Sequence, residues 1–138
     1  MARKKALQAL YQWDLTNQEM TDILAQFNRF QDMSKVDNDY FVKILRTVSS
    51  KQSEIDAAIS PHLPRTIDDL DPIERSALRL CCFELMESVE VPYKVVINEA
   101  LELTKEFGAE QGHKFVNGVA DKIAQQIRNH EINRSSTG

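Results

Sequence analysis

The sequence contains few of the residues that interrupt regular structure: of its 138 residues, only four are glycine and four are proline. Because these residues most often mark turns and loops, their scarcity predicts long, uninterrupted elements. Long apolar runs are also missing, and no stretch approaches the roughly 18 apolar residues that span a bilayer. The N-terminal residues Met1–Lys5 lead into a mixed amphipathic segment and not into the apolar core of a signal peptide. These absences predict a cytoplasmic protein.

Cysteine is rare as well, and the two that are present, Cys81 and Cys82, are adjacent. Neighbouring cysteines seldom form a disulfide, and two thiols without spaced cysteine or histidine partners do not make a zinc site. Free cysteines are commonly buried as small apolar residues. We therefore predict that both are buried on a helix, with no disulfide and no metal site.

Signatures of enzymes are missing too. The three histidines, His62, His113 and His130, are far apart, and none stands at the spacing that places two metal ligands on one helix face. The segment Gly112–Phe115 lacks the glycine spacing and the hydroxyl residue of a phosphate-binding loop. The acidic cluster Asp68–Asp71 is better explained by a helix start than by catalysis. We predict a protein that is not an enzyme and needs no cofactor.

The sequence does contain a helical periodicity. Apolar residues recur at intervals of three and four almost throughout, and no segment sustains the two-residue alternation of a strand. Asp71 followed by Pro72 is a strong helix start, because aspartate caps a helix and proline fits its first turn. Thr16 followed by Glu19 predicts a capping box that opens another helix. The pattern predicts an all-α fold of about seven helices.

The segment Ser60–Arg65 contains two of the four prolines and must interrupt the helical pattern. It divides the helices into an N-terminal group, residues 1–60, and a C-terminal group, residues 66–132, followed by a polar and frayed tail, residues 133–138. Short connections favour antiparallel neighbours. We therefore predict one domain, residues 1–138, built from two helical subdomains that pack together.

The distribution of charge is more informative than its sum. The formal net charge of −4 argues against a general nucleic-acid binder, because such domains are usually basic. However, the first thirteen residues carry Arg3, Lys4 and Lys5 and no acid, and a basic arm of this kind can neutralise phosphates. Exposed cations are also common on proteins that bind no nucleic acid, so both interpretations remain open.

Residues 91–124 contain a second candidate for RNA binding. Lys94 stands at the first turn of one predicted helix, and His113 and Lys114 supply donors at the start of the next. Phe115 adds a stacking surface, and Asn117 adds an amide that can read a base edge. Phosphate contacts, stacking and amide hydrogen bonds are the means by which single-stranded RNA is recognised.

Both Phe115 and Gly118 also have structural explanations. Phe115 shares a helical spacing with Val119 and Ile123, which makes core packing about as probable as stacking. Glycine within a helix costs about 1 kcal/mol relative to alanine. A close approach of another helix would account for Gly118, so its role is left open.

Several motifs closely resemble those of the NusB family of transcription antitermination factors. In chain order they are Gln8–Tyr11, Ile73–Arg75, Val91–Ala100, Phe107–Glu110 and His113–Val119. The resemblance covers the chain from about Arg3 to Ile127. It implies an all-helical fold of two subdomains without catalytic activity.

The resemblance also implies partners. Members of the family form a heterodimer with NusE, a small-subunit ribosomal protein, and the pair binds the boxA element of nascent ribosomal RNA leaders. Within the RNA polymerase antitermination complex, the pair helps the polymerase to elongate past terminators. Some relatives self-associate when NusE is absent, so a homodimer remains open, and no membrane partner is implied.

Roles of individual residues follow from the resemblance by position. The matches are Arg3, Lys4 and Lys5 in the basic arm that family members place on RNA, His113, Lys114, Phe115 and Asn117 in the motif near the RNA path, and Tyr11 and Glu74 on the NusE-facing surface. Many relatives have a longer arginine-rich segment before the first helix. We therefore predict that RNA affinity depends on additional contacts from NusE.

Two other functions fit the sequence less well. A NusB-like domain heads certain ribosomal RNA cytosine methyltransferases, but that class needs a cofactor-binding α/β domain downstream, whereas this chain ends at Gly138 after a polar tail. The other is a pure interaction protein whose acidic surface binds proteins and no RNA. Exchange of Lys4 and Lys114 for glutamate tests this alternative, because only an RNA role predicts that RNA binding is lost.

Overall fold

The computed structural model describes the backbone of residues 2–137 and the side chains of residues 2–133. Within that range the chain forms eight α-helices, two short 3₁₀ helices and no strand. The α-helices are α1 Ala2–Thr16, α2 Met20–Phe30, α3 Asn38–Ser50, α4 Gln52–Ile59, α5 Pro72–Glu87, α6 Tyr93–Phe107, α7 Gly112–Ile127 and α8 Asn129–Thr137, and the 3₁₀ helices are Ser60–His62 and Ile67–Asp69. The prediction of an all-α fold is confirmed.

Two backbone breaks create two α-helices, α4 and α8, that the sequence pattern did not separate. The long third helix that the sequence predicted is divided at Lys51, where φ is −110° and ψ is 25°, into α3 and α4. A similar break at Arg128 separates α7 from α8. The backbone is helical as far as Thr137, which the sequence pattern did not indicate, and the frayed tail over residues 133–138 stays a prediction. Gly138 lies outside the described residues.

Helix α5 lies at the centre of the fold. It packs against α1, α3, α4, α6 and α7, and every residue from Arg75 to Leu85 is buried. A helix with this many neighbours has no face left for solvent, which is why its apolar residues do not form a single stripe. Cys81 and Cys82 lie on this helix as buried free thiols, as the sequence predicted.

The buried apolar side chains form one core cluster that takes residues from both sides of the segment Ser60–Arg65. Phe41, Ile44 and Leu45 come from α3, whereas Phe83 and Leu85 come from α5, and all five are fully buried. The division into two subdomains therefore remains a prediction about sequence order, and a single core joins the two groups. No helix within residues 2–137 is long and apolar enough to cross a membrane.

One predicted helix start is confirmed and another was wrong. The side chain of Asp71 accepts hydrogen bonds from the backbone N–H groups of Ile73 and Glu74 at 2.9 and 3.2 Å, so α5 begins where the sequence indicated. Thr16 does not open a helix, because it ends α1 and donates its hydroxyl to the carbonyl of Gln12. Asn17 follows with a φ of 57°, a left-handed conformation that asparagine tolerates better than most residues.

Buried charges on α5 are paired with carboxylates from other helices. Arg75 and Arg79 both donate to Asp14 of α1, with 3.0 Å between Arg79 Nη1 and Asp14 Oδ1. Arg79 also donates through Nε to Asp56 of α4 at 2.9 Å, and its guanidinium lies over the ring of Trp13. The buried guanidiniums therefore connect α1 and α4 to α5, and each of them is compensated by a carboxylate.

Arg128, the residue between α7 and α8, closes the C-terminal end of α5. Its guanidinium donates to the carbonyl oxygens of Leu85, Ser88 and Val91 at 2.8, 3.0 and 2.9 Å. The last carbonyls of a helix have no partner within the helix and carry a partial negative charge. A cation at this position therefore satisfies the carbonyls and complements the helix dipole.

Candidate RNA and partner interface

The three cations at the start of α1 point in different directions. Arg3 donates through Nε to Glu84 Oε1 at 2.8 Å, and the Glu84 side chain is only 2% exposed. Tyr40 donates its hydroxyl to the same carboxylate at 2.8 Å. The hydrogen bond to Glu84 raises the pKa of Arg3, and burial raises the pKa of Tyr40 to about 12. Most of the charge of Arg3 is thus compensated inside the protein.

Lys4 and Lys5 contact two different parts of the surface. Lys4 Nζ lies 2.7 Å from Glu106 Oε1 and 5.7 Å from the centre of the Phe107 ring, at the end of α6. Lys5 Nζ donates to Gln31 Oε1 at 2.9 Å, just beyond the end of α2. Consecutive residues of a helix are about 100° apart around its axis, which separates the three cations. Lys4 is therefore the cation of the predicted arm that lies beside the end of α6.

The junction between α6 and α7 is a tight turn built around Gly108. The Gly108 N–H donates to the carbonyl of Thr104 at 2.8 Å. A Cβ on Gly108 would lie 2.7 Å from that carbonyl oxygen, so no larger residue fits. Gly112 opens α7 with its backbone against the Glu74 side chain, where a Cβ would meet Glu74 Cδ at 3.4 Å. The junction thereby holds the first turn of α7 close to the first turn of α5.

The predicted RNA residues of α7 lie partly at the surface and partly against the core. Lys114 and Asn117 are exposed, whereas Phe115 is half-buried and packs against the core cluster. His113 is also half-buried, and its Nδ1 has no hydrogen-bond partner among the described residues. Core packing of Phe115 is therefore confirmed in part, and stacking by the accessible part of the ring stays a prediction.

Lys94 is exposed on the first turn of α6, at the opposite end of that helix from the junction. The rise of 1.5 Å per residue places it about 20 Å from Gly108. The structure thus brings Lys4 and Lys114 to the two sides of the α6–α7 junction but leaves Lys94 and Lys5 apart from them.

The predicted partner residues, Tyr11 and Glu74, lie at the same end of the α1–α5 pair. Asp14, three residues after Tyr11, pairs with Arg75, the residue next to Glu74. Tyr11 is half-buried and faces an open groove of about 540 Å³ between α1 and α2, whose rim includes Leu15 with 52% of its surface exposed. Burial, and then the charge of Asp71, raise the pKa of Glu74.

Sequence reasoning missed a groove between α7 and the segment Pro61–Pro64. Its lining includes His62 and Lys122 in addition to Lys114 and Phe115. His62 shares a hydrogen bond of 3.0 Å with Gln126, which fixes the segment against α7. Lys122 follows Lys114 by eight residues, a spacing that places both on one side of a helix. That spacing was a usable signal, but the segment at residue 61 could not be assigned to the same groove from sequence.

Comparison with protein families supports the predicted resemblance. The model of the NusB family matches residues 1–125. A transcription antitermination protein NusB of Pseudomonas savastanoi is 50% identical over 131 residues, which cover 95% of this chain and 79% of the relative. The corresponding protein of Idiomarina loihiensis is 52% identical over 127 residues, which cover 92% of this chain and 91% of the relative.

Solved structures show the same similarity in three dimensions. The fold is similar to T. maritima NusB, with a TM-score of 0.80 and 29% identity over 90% of this chain and 89% of that one. A crystal structure of antitermination factors NusB and NusE in complex with double-stranded RNA matches with a TM-score of 0.83 and 32% identity, over 91% of this chain and 94% of that one. Family model, sequence relatives and fold all agree, and the chain belongs to the NusB family.

Proposed function

We propose that this chain is a transcription antitermination factor that forms a heterodimer with NusE and binds the boxA element of nascent ribosomal RNA leaders. As part of an RNA polymerase antitermination complex it promotes processive elongation, and it acts as a regulatory protein and not as an enzyme. The observation that carries the proposal is the match to the structure of NusB and NusE with RNA, which extends over more than nine-tenths of both chains.

The α6–α7 junction supports an RNA site centred on Lys4, Lys114, Phe115 and Asn117. Lys114 is exposed, and Lys4 pairs with a half-exposed glutamate, Glu106, so both ammonium groups can exchange their contacts for phosphates. The accessible part of the Phe115 ring offers a stacking surface, and the Asn117 amide can donate to and accept from a base edge. Together these groups supply the chemistry that single-stranded RNA recognition requires.

The remaining predicted RNA residues lie outside the centre of this surface, some of them well away from it. Arg3 holds the first turn of α1 in place through Glu84 and exposes 26% of its side chain. Arg3 therefore contributes to RNA binding mainly by fixing the position of its neighbour Lys4. His113 lies half-buried on the first turn of α7, whereas Lys5 and Lys94 carry positive charge at separate places on the surface. Because the protein has a net charge of −4, tight binding requires contacts from NusE.

For NusE, the contact surface includes Tyr11 and Glu74. A phenol at the edge of this groove and a half-buried carboxylate are an anchor and a charge partner for a basic protein surface. A cation of the partner opposite Glu74 would relieve the charge that burial disfavours. In the absence of NusE the same surface is available for self-association.

The proposal is tested by fluorescence anisotropy of a labelled boxA RNA titrated with this protein, with and without NusE, at several salt concentrations. We expect NusE to tighten binding, with a salt slope of about −0.7 per phosphate contacted. Exchange of Lys114→Glu should weaken RNA binding and leave the NusE complex intact. The matched control is Lys43→Glu, which makes the same charge change at an exposed position of α3.

Two results would contradict the proposal. If neither the protein nor its complex with NusE distinguishes boxA from a scrambled RNA, sequence recognition is not its function. If Lys114→Glu and Lys43→Glu behave alike, any RNA binding is nonspecific attraction, and the protein acts through protein partners alone.

A further inference from the structure

Two acids of α6 lie close to the basic residues at the start of α1. Glu99 and Glu106 are seven residues apart, which places them about two turns from each other on the same side of α6. The hydrogen bond to Glu84 raises the pKa of Arg3, and the charges of Glu84 and Glu99 add to this effect. Glu106 contacts Lys4 directly. The cations of α1 therefore meet carboxylates of their own chain before they meet any ligand.

The contact between Lys4 and Glu106 is short but lies at the surface. Lys4 Nζ is 2.7 Å from Glu106 Oε1, and 44% and 48% of the two side chains are exposed. Ion pairs that are this exposed contribute little free energy and can open readily. A phosphate oxygen that bound Lys4 would have to take the place of the Glu106 carboxylate.

The stability of the fold explains Glu106 poorly. Glu106 lies on the last turn of α6, where the free carbonyl groups carry a partial negative charge. A carboxylate is unfavourable at this end of a helix, and its exposed pair with Lys4 compensates only a small part of a folding free energy. An effect on the availability of Lys4 is the better explanation.

We propose that Glu106 restrains RNA binding by occupying Lys4 in place of a phosphate. The inference rests on the proposed RNA function and identifies a residue that lowers the affinity. When RNA binds, Lys4 must leave its carboxylate, and Glu106 is then left close to a negatively charged backbone. Both effects oppose binding. Contacts from NusE must offset them, so the restraint makes tight binding depend on the heterodimer.

The first test compares the affinity of Glu106→Gln and of wild-type protein for labelled boxA RNA with saturating NusE. Glutamine keeps the size of the side chain and removes its charge. We expect affinity to rise about threefold, within the range of one exposed ion pair. The salt slope should become steeper by up to about 0.7, because the released lysine can neutralise one more phosphate. Glu54→Gln makes the same charge change at an exposed position of α4 and should change neither quantity.

A second test asks whether Glu106 acts through Lys4. In a Lys4→Gln background the ammonium group is missing, so the exchange Glu106→Gln should have little effect on RNA affinity. An equal gain in both backgrounds would mean that Glu106 simply repels RNA, and the inference would be overturned. Thermal unfolding should show nearly the same Tm for Glu106→Gln and wild type, which separates affinity from folding.

The outcomes distinguish this inference from the proposed function. If wild-type protein with NusE binds boxA and Glu106→Gln binds it no more tightly, the RNA function stands and the inference is overturned. If Glu106→Gln weakens binding, the carboxylate orients Lys4 for RNA and does not restrain it, which also contradicts the inference. If wild-type protein with NusE binds no boxA RNA, the proposed function itself fails, and the inference fails with it.

Discussion

Arg3 on the first turn of α1 lies in direct contact with Glu84 on the last turn of α5, with Arg3 Nη2 2.9 Å from Glu84 Oε2 in addition to the Nε contact. The carboxylate also accepts the hydroxyl of Tyr40, which itself lies 2.8 Å from Ser88 Oγ. The start of the chain, α3 and the end of α5 are thus joined by a single buried carboxylate.

Loss of the Arg3 guanidinium should destabilise the fold. Arg3→Met leaves Glu84 buried without its cation, and we expect the free energy of unfolding in urea to fall by about 3 kcal/mol, because a buried charge that loses its partner is costly. The double variant Arg3→Met with Glu84→Gln should recover part of that loss. A decrease below about 0.5 kcal/mol for the single variant would mean that water already compensates Glu84.

Glu74 should link partner binding to pH. Since burial raises its folded-state pKa, the stability that this carboxyl contributes is fully present below its unfolded pKa and is lost as pH rises through the folded pKa. Glu74→Gln keeps the neutral form at all pH values, so we expect the Tm at pH 7 to be equal or up to about 2 °C higher. NusE affinity should nevertheless fall about tenfold, a change of about 1.4 kcal/mol.

Calorimetric titration of NusE at pH 5 and pH 7 measures the contribution of Glu74 to NusE affinity. Wild-type affinity should weaken toward pH 5, because a protonated Glu74 offers no charge to the partner. Glu90→Gln, which removes an exposed acid between α5 and α6, is the control and should retain the wild-type pH profile. An identical pH profile for Glu74→Gln and wild type would remove Glu74 from the interface.

Substitution by alanine should have opposite effects on the stability of the fold at two of the glycines. Gly118→Ala meets no neighbour and improves helix propensity, so we expect stabilisation of about 1 kcal/mol. Gly108→Ala places a Cβ 2.7 Å from the Thr104 carbonyl oxygen and should destabilise the junction by more than about 1 kcal/mol. Thermal unfolding of the two variants measures both effects. A loss of stability in Gly118→Ala would show that its Cβ position is not free.

The thiols of Cys81 and Cys82 should not react in the folded protein. Burial raises both pKa values, that of Cys82 to about 12, and the thiolate is the reactive form. A disulfide reagent at pH 8 should therefore modify both cysteines only in denaturant, or at a rate equal to that of unfolding. Rapid modification of one thiol without denaturant would indicate local opening of α5.

Local patterns in the sequence predicted the elements better than they predicted the surface. Asp71 and Pro72 act within one turn, so the start of α5 could be identified from four residues. The apparent capping box at Thr16 was wrong because Asn17 takes a left-handed conformation and ends the preceding helix first. Thr16 could either end one helix or open the next, and its few neighbours in sequence do not decide between these two roles.

The candidate site shows the same limit. Arg3, Lys4 and Lys5 are consecutive and suggested one basic arm, but as part of a helix they diverge toward Glu84, Glu106 and Gln31. The helical spacing separates the three side chains, and the groups that they contact come from more distant parts of the chain. The groove between α7 and the segment Pro61–Pro64 was likewise invisible in sequence, because its second wall comes from residues more than fifty positions earlier.

The contact of Arg128 with the end of α5 affects the order in which the chain folds during synthesis. The ribosome makes α5 before it makes the arginine whose side chain binds the carbonyls at the end of that helix. Until residue 128 has left the exit tunnel, those carbonyls must be satisfied by water and the helix remains frayed at its C-terminal end. The C-terminal end of α5 is therefore completed only after α7 and Arg128 have been synthesised.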